Sequence, residues 1–382
     1  MVPPSYNYRN LKVRWKTTLM TALGFTLVVA ALVVMLAFVN GIRQVCATSG
    51  EPENVLLLSK GSHDEVLSVV TRQQVTEAEH CEGVLVDESG FPLASRELFL
   101  VVHHLDEKTG AYRFLQVRGV MPVAFTVHTR VKVSEGETFH PNQSEVLIGK
   151  VLQRDYGLKV GDSLKIGRKS WKIAGVFAAD GSAFESEVWG DLNELAGQFR
   201  REGFSSSAVL RAADEPAARA LAAHIAASRN ISLESQTEPQ YYAKQAEQTR
   251  ALQRATWTIA WFMGLGAVFG VMNTMFAAIN HRVKDIAVMR LMGFKPRDIL
   301  LCFLIEAVLI AALGGLLGLA LGSAANGATR SISLGSRNIQ FALRVDATIV
   351  TTVAIVTLLL GILGGLLPAM NAMRVKVLEA LH

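Results

Sequence analysis

Cysteine is scarce in this chain, with three in 382 residues, at positions 46, 81 and 302. That excludes a disulfide framework and a thiolate metal site, and no Cys-x-x-Cys pair occurs. A His-Glu-x-x-His helix and a Gly-x-Ser-x-Gly elbow are also missing, so the zinc-peptidase and α/β-hydrolase signatures are absent. The Gly-x-x-x-x-Gly-Lys-Ser/Thr loop that cradles nucleotide phosphates does not occur in these residues. Above all, long parts of the chain lack charge. Four stretches, 17–42, 255–280, 307–329 and 347–373, contain no Asp, Glu, Lys or Arg. Each reaches the ~20 apolar residues that cross a bilayer core.

Membrane spans are predicted at 17–42, 255–280, 299–323 and 347–370, with a polar region at 43–254 long enough to bury its own core. The fold class that follows is an α-helical membrane protein with four transmembrane helices plus an α+β extracytoplasmic domain. The first apolar run is longer than the about 7–15 residues of a signal-peptide core and has no clear cleavage site after it, so it reads as a retained anchor. The net charge of +5 is placed for topology. Arg9, Lys12, Arg14 and Lys16 precede the first span. Arg282, Lys284, Arg290, Lys295 and Arg297 lie between the second and third, and Arg374 and Lys376 follow the fourth. The loop between spans three and four has Arg330, Arg337 and Arg344. Basic residues mark cytoplasmic segments, which puts both termini and the 281–298 loop inside and the polar region outside.

Within 51–235, strands are predicted at 55–58, 97–102, 113–120, 145–149, 158–166 and 170–177, with a turn around 108–110. Helices are predicted at 65–71, 74–79, 150–156 and 215–228. His103 and His104 are adjacent on a strand and face opposite sides, which argues against a shared metal. Cys46 and Cys81 read either as a disulfide or as two separate small hydrophobes. The region reads as a binding or gating module without catalytic groups. From 240 to 263 there is no Gly or Pro and helix formers dominate, so the polar part, 240–254, continues into the second span as a stalk.

Gly266 and Gly270 are four apart, as are Gly314, Gly318 and Gly322. Such small-residue faces allow close helix approach in lipid, within one chain or between two. Glu306, near the inner end of span three, reads as reaching the headgroups or an inner-loop arginine, not as a proton relay. In the inner loop Val283, Ile286, Met289 and Arg290 fall at helical spacing, Gly293 suits a helix end and Pro296 a helix start. A short amphipathic helix results, resting on lipid headgroups or docked into a partner.

The block Asn273-Thr274-Met275, Arg282-x-x-Asp285-Ile286-x-x-Met289-Arg290-x-Met292-Gly293-Phe294 and Asp298-Ile299 resembles the inner-loop signature of MacB/FtsX-type ABC transporter permeases. That pattern usually has Glu in place of Asp285 and Leu in place of Met289. Glu306-Ala307, Gly314-Gly315-Leu316-Leu317-Gly318 and the tail Pro368-Ala369 with Leu378-Glu379-Ala380-Leu381 are similar to the same family, although Val377-Leu378 stands where a proline is usual. Val117-Arg118-Gly119-Val120, Glu145-Val146-Leu147-Ile148-Gly149 and Leu158-x-Val160-Gly161-Asp162 resemble its periplasmic domain.

The resemblance implies a non-catalytic permease half-unit in the bacterial inner membrane. The inner-loop helix would be a coupling helix, with Arg282, Asp285, Ile286, Met289, Arg290 and Gly293 meeting a separate cytoplasmic ABC ATPase. ATP would be bound by that partner, so no cofactor is expected on this chain. A second permease chain, identical or related, would join through spans one and two. A periplasmic adaptor or substrate protein and membrane lipid are further partners, and nucleic acid is not. Export or extraction of a lipoprotein, lipid, peptide or drug is the first functional expectation. The alternatives are an FtsX-like subunit that regulates an extracytoplasmic enzyme without transport, and a stand-alone receptor.

Overall fold

The computed structural model describes residues 15–105, 110, 112–334 and 337–374. Arg9, Lys12 and Arg14, the turn residues 108–109, and the tail from 375 onward, with Lys376 and the Leu378-Glu379-Ala380-Leu381 motif, lie outside the described residues. The chain divides into two compact units, one of 15–41, 250–328 and 342–374 among the described residues, the other of 42–249 and 329–341.

In chain order, α1 (Trp15–Thr48) is followed by β1 (Asn54–Ser59), β2 (Val70–Thr71), α2 (Arg72–Glu79), β3 (Ala94–Leu105) and β4 (Tyr112–Val120). Next come α3 (Ala124–Val127), β5 (Lys132–Gly136), β6 (Glu145–Gly149), α4 (Lys150–Tyr156), β7 (Ser163–Ile166) and β8 (Lys169–Ala178). A 3₁₀ turn (Ala183–Ser186) leads to β9 (Glu187–Asp191), α5 (Leu192–Phe199), β10 (Phe204–Ser205), β11 (Ser207–Arg211), α6 (Glu215–Ala227) and β12 (Leu233–Thr237). The rest is α7 (Glu238–Asn280), α8 (Val283–Leu291), α9 (Pro296–Ser323), β13 (Thr329–Leu334), β14 (Arg337–Ala342) and α10 (Ala347–Met373).

In the first unit, α1, α7, α9 and α10 are long and apolar enough to cross a membrane. The uncharged part of α7 is 255–280, and its first seventeen residues, 238–254, carry the helix's charges. Lipid tails are as apolar as leucine, so the helices hold together by close backbone approach. A Cβ on Gly314 would lie 2.5 Å from Ala22 O, one on Gly318 2.7 Å from Thr26 O, and one on Gly322 2.6 Å from Val33 Cβ. These three glycines seat α9 against α1. The Thr26 hydroxyl donates to Gly314 O at 3.2 Å across the same contact. Gly364 of α10 meets Val271 of α7 in the same manner, at 2.9 Å.

The second unit is built on a mixed sheet, ten-stranded among the described residues, in the order β12-β1-β11-β3-β4-β9-β6-β8-β5, with β7 hairpinned onto β8. The pairs β4–β9 and β6–β8 are parallel and their neighbours antiparallel. Alternation places Leu164, Ile166, Trp171 and Ile173 inward, where they meet Leu192 and Leu195 of α5. A second core joins Val55, Leu57 and Leu210 to Leu221 and Ile225 of α6. Each such side chain contributes about 1.5–3 kcal/mol on full burial. Asp214 caps α6 by accepting from Ala217 N at 2.7 Å, with Pro216 in the first turn.

The strand at 158–166 starts later than its apolar pattern predicts, because Gly161 (φ +91°) turns the chain before Ser163. The helix expected at 65–71 does not form. Thr71 caps α2 from outside, its hydroxyl accepting from Gln74 N at 3.3 Å while Gln74 Oε1 accepts from Thr71 N at 3.0 Å. Val70–Thr71 pairs with Phe204–Ser205 instead, and the Glu65 carboxylate is drawn into a buried ion cluster.

Candidate functional site

Two constellations stand out, one in each unit. The first is the helix between the second and third apolar helices. Arg282 precedes α8, and Gly293 (φ +92°) ends it in a left-handed turn. Gly293 N donates to Arg290 O at 3.1 Å and Phe294 N to Met289 O at 3.2 Å, the paired bonds of a Schellman motif. Pro296 opens α9 three residues later, with Lys295 N donating to the Asp298 carboxylate at 3.1 Å. The chain therefore turns sharply on both sides of α8, which pins its two faces.

The inner face carries Ile286 and Met289, buried in one cluster with Met275, Ile279, Ile299 and Phe303, and Ala287, also buried. Arg282 Nη1 reaches the Glu306 carboxylate of α9 at 3.2 Å, with both side chains 6 % exposed. Glu306 thus serves an inner-loop arginine, the structural role expected of it. The outer face presents Lys284, Asp285, Val288, Leu291 and Met292, with Leu291 64 % and Met292 65 % exposed. The residues expected to meet an ATPase differ in exposure. Asp285 and Gly293 are exposed and Arg290 is half-buried. Ile286, Met289 and Arg282 are buried against the chain's own helices, and Lys284, Val288, Leu291 and Met292 are exposed beside Asp285.

The glycines divide in the same way. Gly314, Gly318 and Gly322 pack within the chain, whereas a Cβ on Gly266 or Gly270 meets nothing within 4 Å among the described residues. Those two, expected to pack helices, line an open apolar groove of about 500 Å³ with Met20, Gly24, Phe25 and Met263.

The second constellation is a buried ion cluster in the sheet unit, which sequence reasoning missed. Arg118 of β4 donates from Nε to Glu187 Oε2 at 2.7 Å, and from Nη1 to Glu65 Oε1 at 2.8 Å and to Glu97 Oε2 at 2.6 Å. His128 Nε2 meets Glu97 Oε1 at 2.7 Å, and its ring sits edge-on to Phe184 and Trp189. Glu238, the first residue of α7, accepts from Glu51 N and Asn54 Nδ2, both at 3.0 Å. Burial alone would lower the Arg118 and His128 pKa values. The three carboxylates hold Arg118 well above its usual value, and Glu97 and Glu238 raise His128 to about 9. Burial pushes Glu238 up to about 7, against the opposing pull of His128, the Glu51 amide and Asn54. For Glu97 the burial effect is outweighed by His128 and Arg118, so its pKa is lowered. The Arg118 guanidinium, paired with three carboxylates from separate segments, ties those segments together.

His103 packs on Phe114 and His104 bonds Lys165 O at 3.2 Å, so the two histidines do face different neighbours. The described cysteines are thiols, not disulfides, which settles the alternatives for Cys46 and Cys81.

Residues 18–228 match the family model of the MacB-like periplasmic core domain, and residues 257–377 that of the FtsX-like permease C-terminal domain. A Pseudomonas fluorescens protein named as a probable export ATP-binding/permease protein is 26% identical over 314 residues, covering 77% of this chain and 46% of its own length. The macrolide export ATP-binding/permease protein MacB of Burkholderia lata is 26% identical over 316 residues, covering 77% of this chain and 44% of its own. The chain thus spans less than half the length of these curated relatives. Among solved structures, the periplasmic region of MacB from Actinobacillus actinomycetemcomitans aligns with a TM-score of 0.39 at 8% identity, over 52% of this chain and 94% of that one.

Proposed function

The chain belongs to the permease family defined by the MacB-like periplasmic core and FtsX-like C-terminal domains, and from that premise we propose that it couples ATP hydrolysis on a separate cytoplasmic ABC ATPase to movement of its α/β unit. Four apolar helices in a chain of this family make it a membrane protein, and the family is a permease component of ABC transporters. We place it in the bacterial inner membrane with both termini inside, in keeping with its charge distribution.

The observation that carries the proposal is the two-faced helix α8. Its inner face and Arg282 lock it to the apolar helices, so a push on it is passed on instead of absorbed. Its outer face offers Val288, Leu291 and Met292 beside Lys284, an apolar and basic ridge for a groove on an ATPase. The relatives carry ATP-binding beside permease in their names, which supports an ABC ATPase as the partner of this permease region. A second permease chain, identical or related, would lie along the groove at Gly24, Gly266 and Gly270, where small residues on α1 and α7 face outward. The cargo is an envelope substrate, a lipoprotein, lipid, peptide or drug.

Detergent pull-down of the tagged chain from its native membrane, assayed for vanadate-sensitive ATP hydrolysis, tests the reading. Wild type is expected to bring down an ATPase. The Leu291→Glu variant changes only an exposed position and is expected to lose the ATPase while keeping its melting temperature. Equal ATPase recovery with Leu291→Glu would remove α8 as the docking element.

A further inference from the structure

The α/β unit receives the chain at two points, the end of α1 and the start of α7, and these points touch. A Cβ on Gly50 would lie 2.7 Å from Pro239 N and 2.8 Å from Pro239 Cα, so only glycine admits this approach of backbones. Glu238 ties the two segments, its Oε2 accepting from Glu51 N and from Asn54 Nδ2 of β1, both at 3.0 Å. Its Oε1 lies 3.8 Å from His128 Nδ1, with both side chains 3 % exposed or less. The segment after α1 is held from the other side as well. Arg130 Nη1 donates to Thr48 O at 3.1 Å, and Ala183 N donates to Ser49 Oγ at 2.8 Å.

A helix start is served adequately by an exposed acid in its first turn. Burying that carboxylate instead carries a desolvation cost. The burial achieves a junction in which one side chain grips both segments and the sheet. We propose that Glu238 is a positioning residue that clamps the end of α1 to the start of α7, so that the two enter the α/β unit as one body. This deepens the permease reading, on which its mechanical consequence rests, but the clamp itself can be tested on the full chain with no ATPase present.

The charged groups that act on Glu238 are His128 after α3 and Glu97 on β3, the latter paired with Arg118 of β4, while Arg211 on β11 bonds both Glu51 and Asn54. Burial holds the Glu238 pKa near 7, so ionisation above that value carries a desolvation cost that His128, Glu51 N and Asn54 offset only in part, and the clamp loosens.

Hydrogen exchange by mass spectrometry on the full chain in lipid nanodiscs, at pH 6 and pH 8, tests the clamp through the peptides covering 49–55 and 238–246. Glu238→Ala is expected to lower the protection of both peptides together, at least tenfold. Glu238→Gln keeps an acceptor oxygen without the charge, so it restores protection and reduces the fall between pH 6 and pH 8 that the wild type shows, once exchange is corrected for its intrinsic pH dependence, to the part that His128 supplies. Protection unchanged in Glu238→Ala, a loss confined to 238–246, or a pH 6 to 8 fall as large in Glu238→Gln as in the wild type overturns the clamp. If Glu238→Ala does not fold, the pH comparison with Glu238→Gln decides alone. A chain that pulls down no ATPase would end the permease reading and leave these exchange results standing.

Discussion

Arg118 is fully buried among Glu65, Glu97 and Glu187, each within 2.8 Å of a guanidinium nitrogen. Replacing it by methionine keeps most of the length and removes the charge, leaving three carboxylates facing one another. Removing one partner of a buried pair costs roughly 3–5 kcal/mol. Arg118→Met is therefore expected to shift the urea midpoint of the detergent-solubilised chain by that amount, read from Trp171 and Trp189, which are both buried. A loss below about 1 kcal/mol, typical of an exposed pair, would show that Arg118 is no hub. The pH dependence has a defined sign. His128 rises from 6.5 to about 9, so its stabilisation is complete below pH 6.5 and is lost as pH climbs through 9. Glu238 rises from 4.5 to about 7, and its ionisation in the unfolded chain first also removes stability as pH rises through that window. Melting temperature is expected to fall from pH 6.5 to 9, by the equivalent of a few kcal/mol. His128→Gln should flatten that slope, and a slope as steep as in the wild type would detach it from His128. This cluster was illegible in the sequence for a plain reason. Arg118 is visible there only inside Val117-Arg118-Gly119-Val120, and its partners stand 53 and 21 residues before it and 69 after it, at no periodic spacing. The available signal was indirect: Glu97, Arg118 and Glu187 interrupt otherwise apolar strands, and a charge in such a place must find an opposite one.

Secondary-structure elements were more legible than their partners. The helix expected at 215–228, the glycine end of α8 and the proline start of α9 rest on local chemistry, so sequence and structure agree on them to within a residue. What a helix face touches is not local. Ile286 and Met289 at helical spacing mark a buried face, but spacing alone cannot say whether the chain's own helices or another protein bury it, and here it is the former. The glycine stripes pose the same problem, and a contrast of two substitutions tests the structural answer. Gly318→Val places a branched side chain where Thr26 O stands 2.7 Å from the Cβ position, so α9 must move off α1. Overpacking of this kind costs typically 1–3 kcal/mol. Gly266→Ala points into the open groove and gains helix propensity of up to about 1 kcal/mol. Thermal unfolding of the solubilised chain is expected to drop clearly for the first and hold or rise for the second. The reverse order would mean that the groove, and not the α1–α9 contact, is the packed seam.

At the scale of the whole molecule, orientation decides which unit can meet an ATPase. The proposed topology, with four crossings and the Lys and Arg at 282–297 and before the first span on the cytoplasmic side, makes this testable. The native cysteines supply the test. Cys46 and Cys302 are buried, while Cys81 of the α/β unit is partly exposed. A membrane-impermeant maleimide applied to intact spheroplasts is expected to label Cys81, slowly, because burial raises its pKa and keeps thiolate scarce. In a Cys81→Ser background, Lys284→Cys on the exposed face of α8 should stay unlabelled until the membrane is opened. The opposite pattern would place α8 outside, out of reach of any cytoplasmic ATPase, and the coupling proposal would fall with it. Labelling of Cys81 in the wild type, with Lys284→Cys protected in the Cys81→Ser variant, is the pattern expected if the two-faced helix lies on the side where ATP is hydrolysed. Glu238 and its clamp are then on the side where the work is done, joined to that helix through the single run of α7.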